Sequence, residues 1–135
     1  MKPLLTSLTA ISLLTLLMFS SSAFYHKKNV IKIVPLSTVE LIIKHARFYG
    51  VSEKLLTDLA MIESNLCKDV VSKTSSARGC FQIIRSTWDR YCSGSVMSDN
   101  DNIRCAAKMI KIGGITHWLA DERTRERLVA LGYNF

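Results

Sequence analysis

A glutamate closes an apolar, helix-patterned stretch at Glu63-Ser64. A glycine-led segment, Gly79-Cys80-Phe81-Gln82, follows after a run of small polar residues, and Tyr133-Asn134 stands at the far end. Leu59 and Ala60 lie about one helical turn before Glu63, and Leu66 and Cys67 about one turn after it; none is cationic. A carboxyl group in such surroundings loses hydration, so its protonated form is favoured. An acid that must protonate a leaving oxygen near neutral pH needs this property. Gln82 can offer a donor and an acceptor together to a hydroxyl or N-acetyl group. On helix position alone, Glu63 reads as a boundary glutamate facing solvent, and residues 79–83 as an ordinary turn. Their combination suggests a glycan-cleaving site, with Glu63 as its acid.

The elements that must hold these residues are helical. Ser37-Thr38-Val39-Glu40 is a capping box, flanked by Leu36 and Leu41 where a hydrophobic staple would sit. Val39, Ile42, Ile43 and Ala46 form one stripe, and Gly50 supplies a left-handed cap. Ser52 can cap a second helix, whose Leu55, Leu59, Ile62 and Leu66 recur at helical spacing. The composition of 72–79 predicts a turn or short hairpin. Ser86-Thr87-Trp88-Asp89 opens a short helix, and Ser98 precedes another, buried through Ile103, Ala106, Ala107 and Ile110 and stopped at Gly113-Gly114. A last helix is expected over about 121–131. The fold class is mainly α, with room for a small β hairpin.

The length of 135 residues fits one domain. Residues 4–19 are apolar behind a lone Lys2, and Ser21-Ser22-Ala23 offers a peptidase cut, so residues 1–23 read as a secretory signal peptide. The run is short and Thr/Ser-spotted for a membrane anchor. Residues 24–36 form a basic leader, and the domain is expected over 37–135. The processed chain of 112 residues would carry a net charge of +6, which suits an acidic partner; wall polymer, membrane surface and nucleic acid all qualify on charge alone. Cys67, Cys80, Cys92 and Cys105 make an even count in an exported chain, which predicts two disulfides. Of the three connectivities, Cys67–Cys80 with Cys92–Cys105 is expected, because each pair links consecutive elements. Zinc-type C-x-x-C or H-x-x-x-H pairs are missing, and His26, His45 and His117 are scattered, so no metal and no cofactor is expected.

With these residues in place, the chain resembles the soluble lytic transglycosylases, whose catalytic domain is lysozyme-like. Glu63-Ser64 matches the family's helix-closing Glu-Ser, and Val70-Val71-Ser72 resembles the Ala-Val-Ser that follows. Gly79-Cys80-Phe81-Gln82-Ile83 with Arg85-Ser86-Thr87-Trp88 resembles Gly-Leu-Met-Gln-Ile with Pro-Ser-Thr-Trp. Asn102-Ile103 with Ala106-Ala107 is similar to the next helix, and Gly132-Tyr133-Asn134 to the final Ala-Tyr-Asn. Cys80, Cys105 and Arg85 depart from the usual residues. The family normally continues past the Tyr-Asn pair with a glycine and further helices, so a minimal or truncated domain is expected.

The resemblance implies cleavage of the MurNAc–GlcNAc β-1,4 bond of peptidoglycan with formation of a 1,6-anhydro end. Glu63 would be the single acid/base, and Ser64, Phe81, Gln82, Tyr133 and Asn134 would bind the glycan. Tyr133 would pack beside the carboxylate. Asp69 falls where the family requires no acid and reads as a loop aspartate. The implied partner is the glycan strand, with no nucleic acid, no stable membrane insertion after cleavage of the leader, and a monomer in the periplasm or outside the cell. The rivals are a hydrolase similar to goose-type lysozyme, a non-catalytic wall-binding or assembly protein, and a basic disulfide-rich protein acting on membranes, which the lack of a long amphipathic cationic helix disfavours.

Overall fold

The computed structural model describes residues 34–135. The expected signal peptide, and the basic leader up to residue 33, lie outside the described residues. Val34 to Ser37 run without regular structure into the first helix.

Six helices follow: α1 (Thr38–Tyr49), α2 (Glu53–Ser64), α3 (Arg85–Tyr91), α4 (Asp99–Gly113), α5 (Thr116–Leu119) and α6 (Glu122–Ala130). Their starts obey local chemistry. The capping box forms at α1, where the Ser37 N–H donates to Glu40 Oε2 (2.7 Å) and the Glu40 N–H to Ser37 Oγ (3.3 Å). Ser52, Ser98 and Asp121 cap α2, α4 and α6 through the backbone N–H of Leu55, Asp101 and Thr124. Gly50 ends α1 at φ 66°, donating to the carbonyls of Ala46 and Arg47.

Helix α1 packs on α4 and α2, α2 on α6, and α6 on α5. The shared core holds Ile42, Leu56, Leu59, Phe81, Ile103 and Leu128 among others. Burial differs from the expected stripes in detail. Val39 is exposed, and His45 takes an inward position on α1, its Nε2 3.0 Å from Asn100 Oδ1. On α2 the buried face is Leu56, Leu59, Ala60 and Ser64, with Leu55 and Ile62 at its margins. The third helix begins at Arg85 behind Ile84 with no side-chain cap, so the serine pattern at Ser86 marked the region but not the first residue. Helix α5, a single turn that buries Trp118, had no signal in the sequence.

The hairpin is reduced to isolated antiparallel bridges, Val71 with Arg78 and Arg78 with Ile83; among the described residues there is no strand. A ladder cannot extend here. Gly79 and Gln82 both have positive φ (77° and 48°), and the Phe81 N–H donates to the Asn102 side chain instead of to a neighbouring strand. Both disulfides form as expected, Cys67–Cys80 and Cys92–Cys105. Among the described residues no helix is long and apolar enough to cross a membrane.

Candidate active site

Glu63 is the last residue but one of α2, half-buried, facing α6. Its helix stops abruptly. Asn65, Leu66 and Cys67 have φ of 53°, 54° and 65°, three successive left-handed residues without a glycine. Each such residue costs about 1 kcal/mol or more, so other contacts must hold the run in place. They are visible. The Lys68 and Asp69 N–H groups both donate to the Ser64 carbonyl at 2.9 Å, and the Cys67 N–H donates to Ser64 Oγ at 2.9 Å. The Cys67–Cys80 bond then fastens the run to the glycine turn.

Ser64 completes that fastening. It is 2% exposed, and its hydroxyl donates to the Cys80 carbonyl (2.7 Å), with the Ala60 carbonyl 3.3 Å away. Phe81 is wholly buried, its ring edge-on to Trp118, its N–H on Asn102 Oδ1 (2.8 Å) and its carbonyl accepting from Trp118 Nε1 (2.9 Å). Direct sugar contact, the role that the resemblance implies for Ser64 and Phe81, does not fit these buried placements. Both instead clamp the Gly79–Gln82 turn against α2, α4 and α5. Gly79 lets the turn close on α4: a Cβ there would lie 2.0 Å from Asn102 Nδ2 and 2.4 Å from the Val96 carbonyl oxygen.

Gln82 is half-buried at the rim of a cavity of about 160 Å³ shared with Ile84, Thr87, His117 and Trp118. Its Nε2 donates to the Gly79 carbonyl at 2.9 Å, which orients the amide. Tyr133 lies against α2, but its hydroxyl donates to Asp58 Oδ2 (2.8 Å) and sits 3.3 Å from Lys54 Nζ, which also lies over its ring. Asp58 and Glu63 are separated by about 140° around the helix. The Tyr133 hydroxyl is therefore committed to a different face of α2 from the one Glu63 occupies. Burial would raise the Asp58 carboxyl, but Lys54 and Tyr133 outweigh it and hold it below the usual range. Asn134 is exposed.

The partner of Glu63 is Thr124. This residue is fully buried in the first turn of α6, and its Oγ1 donates to Glu63 Oε1 at 2.6 Å. Burial pushes the Glu63 carboxyl above the ordinary glutamate range. The Thr124 hydrogen bond and the Arg123 charge pull it back, Asp121 adds to the rise, and Arg127 opposes it; burial prevails. Thr124 had no signal in the sequence, because a hydroxyl 61 positions from its acceptor leaves no local pattern. The available hint was the amphipathic period of α6, which puts Thr124 and Leu128 on one inward face.

A half-buried carboxyl raised above its ordinary range by burial, beside a backbone-clamped turn on a mainly helical domain with this order of motifs, fits a lysozyme-like glycan-cleaving domain. The family profile described as Transglycosylase SLT domain matches residues 40–135, and the chain belongs to that family. Its function is accordingly of the lytic-transglycosylase type, directed at the peptidoglycan of the cell envelope. Comparison with curated proteins and with solved structures finds no match.

Proposed function

We propose that this protein is an exported lytic transglycosylase that cleaves the MurNAc–GlcNAc β-1,4 bond, with Glu63 as its only proton-transfer group. The observation that carries this reading is the Glu63 carboxyl itself, desolvated by its neighbours and fixed through Oε1 by Thr124. With Oε1 engaged as an acceptor, Oε2 is the oxygen that would carry the proton to be delivered. Glu63 gives that proton to the glycosidic oxygen as the bond to the MurNAc anomeric carbon breaks. The N-acetyl carbonyl of the same sugar stabilises the electron-poor carbon. The Glu63 carboxylate then takes the proton of the sugar's 6-hydroxyl as that oxygen attacks the anomeric carbon. The acid is restored, no water is consumed, and the product ends in 1,6-anhydroMurNAc. One carboxylate suffices for this sequence, whereas hydrolysing glycosidases use two.

Within this reading the glycan crosses the surface between Glu63 and the Gln82 turn. The Gln82 amide, half-buried and oriented by Gly79, would meet an N-acetyl or hydroxyl substituent. Purified sacculi digested by the protein and analysed by mass spectrometry test the proposal. Anhydro ends, lighter by one water than reducing ends, are expected; reducing ends would assign a hydrolase instead.

A further inference from the structure

Along the C-terminal half of α1, where it meets Arg104 of α4, lies a concavity of about 490 Å³ that shares no residue with the Glu63 site. It is lined by Lys44, His45, Arg47, Phe48, Tyr49 and Arg104. Phe48 is 77% exposed, the most exposed large hydrophobic side chain among the described residues. It stands edge-on to Tyr49 with ring centroids 4.9 Å apart, so two aromatic rings form an apolar wall. Lys44, Arg47 and Arg104 line the same hollow, and their aliphatic stems can extend that wall.

The rim is positive. Arg47 is paired with Glu53 (2.7 Å) and Arg104 with Asp101 (3.0 Å), but Lys44 and Lys111 have no acidic partner among the described residues. Lys111 reaches the same end of α1, its Nζ 3.9 Å from where a Cβ on Gly50 would lie. We infer that this concavity docks an acidic protein segment bearing an aromatic or large aliphatic anchor residue. The anchor would fill the space against Phe48 and Tyr49, and carboxylates flanking it would meet Lys44 and Lys111.

Charge and shape exclude the other occupants. The chain's own leader carries Lys27, Lys28 and Lys32, the wrong sign for this rim. A second copy set face to face on the same patch would oppose cation to cation. An anionic membrane would match the charge but has no use for a hollow the size of one or two side chains. The inference is independent of the reaction proposed above, since α1 contributes nothing to the Glu63 site.

The test is fluorescence anisotropy of the full-length, processed protein with a labelled short peptide of Asp and Glu around a central Trp-Leu pair. Its counterpart has Ala-Ala at the centre. Binding of the Trp-Leu peptide is expected, weaker by about tenfold or more for the Ala-Ala peptide and for Phe48→Ala and Lys44→Glu. Met97→Ala, an exposed apolar truncation elsewhere, should leave it unchanged. Sacculus cleavage should be the same in all variants. Equal binding of the two peptides, or binding indifferent to Phe48→Ala and Lys44→Glu, overturns the inference. So does Phe48-dependent pelleting with phosphatidylglycerol vesicles, which assigns the patch to membrane, or Phe48-dependent dimerisation in sedimentation.

Discussion

Thr124→Val removes one hydroxyl from behind the proposed acid and leaves its shape. Thr124 is fully buried and donates to Glu63 Oε1 at 2.6 Å, a short bond to an ionisable acceptor. A hydrogen bond to a charged group contributes about 1.5–3 kcal/mol. If that contribution fixes the carboxyl for both proton transfers, its loss lowers turnover by roughly 10- to 150-fold. The pH dependence should change as well. Glu63 must be protonated to act, so activity falls as pH rises through its elevated pKa. The Thr124 bond is one of the contacts that pulls that pKa down. Without it the alkaline limb of the profile moves to higher pH. Muropeptide release from sacculi, measured across pH for wild type, Thr124→Val and Thr124→Ser, reads both effects. Thr124→Ser keeps the hydroxyl and should recover most of the activity. A Thr124→Val protein with wild-type turnover and an unmoved alkaline limb would refute the assignment of Thr124 as the residue that positions Glu63.

Three further outcomes follow from the same contacts. Glu63→Gln should be more stable than wild type at neutral pH in thermal unfolding. The folded pKa of Glu63 is raised, so wild type loses stability as pH rises from the ordinary glutamate range through that pKa, and the gap should close in acid. Gly79→Ala should cost about 3 kcal/mol or more in urea unfolding, because a Cβ there meets Asn102 and the Val96 carbonyl at a φ of 77°; a cost under 1 kcal/mol would contradict the close approach. Replacing Cys92 and Cys105 together by serine should lower Tm by roughly 10–25 °C through loop entropy alone. Sacculus cleavage at low temperature should persist, since neither cysteine is among the groups that bond to Glu63 or shift its carboxyl.

The parts of this fold that were legible from sequence are those fixed within a few residues. Ser37 with Glu40, Ser52, Ser98 and Gly50 are caps whose partners lie one turn away, and each marks a helix end that the structure contains. The raised pKa of Glu63 was foreshadowed by the apolar residues before it, but in the structure its carboxylate faces buried Thr124 on α6 and Leu66 and Cys67 leave the helix. What the sequence could not convey depended on distant contacts or on backbone hand. The left-handed run from Asn65 to Cys67 carries no glycine, so nothing announced that Leu66 would leave the helix. Ser64 and Phe81 lie in a motif read as sugar-binding, yet a serine or phenylalanine in a motif does not reveal which way it points. Here Cys80, Asn102 and Trp118 draw both inward. Thr124 reaches Glu63 only once α6 is laid against α2, and Tyr133 finds Asp58 by the same packing.

The central claim is that one carboxyl, on Glu63, performs both proton transfers. Glu63→Gln keeps the size of the side chain and an oxygen to accept from Thr124, and removes only the proton chemistry. Digestion of purified sacculi by the two proteins, with soluble muropeptides quantified over time, measures the difference directly. The account predicts a fall of roughly a hundred- to ten-thousand-fold in release with sacculus binding retained. Cleavage by Glu63→Gln at the wild-type rate would contradict it.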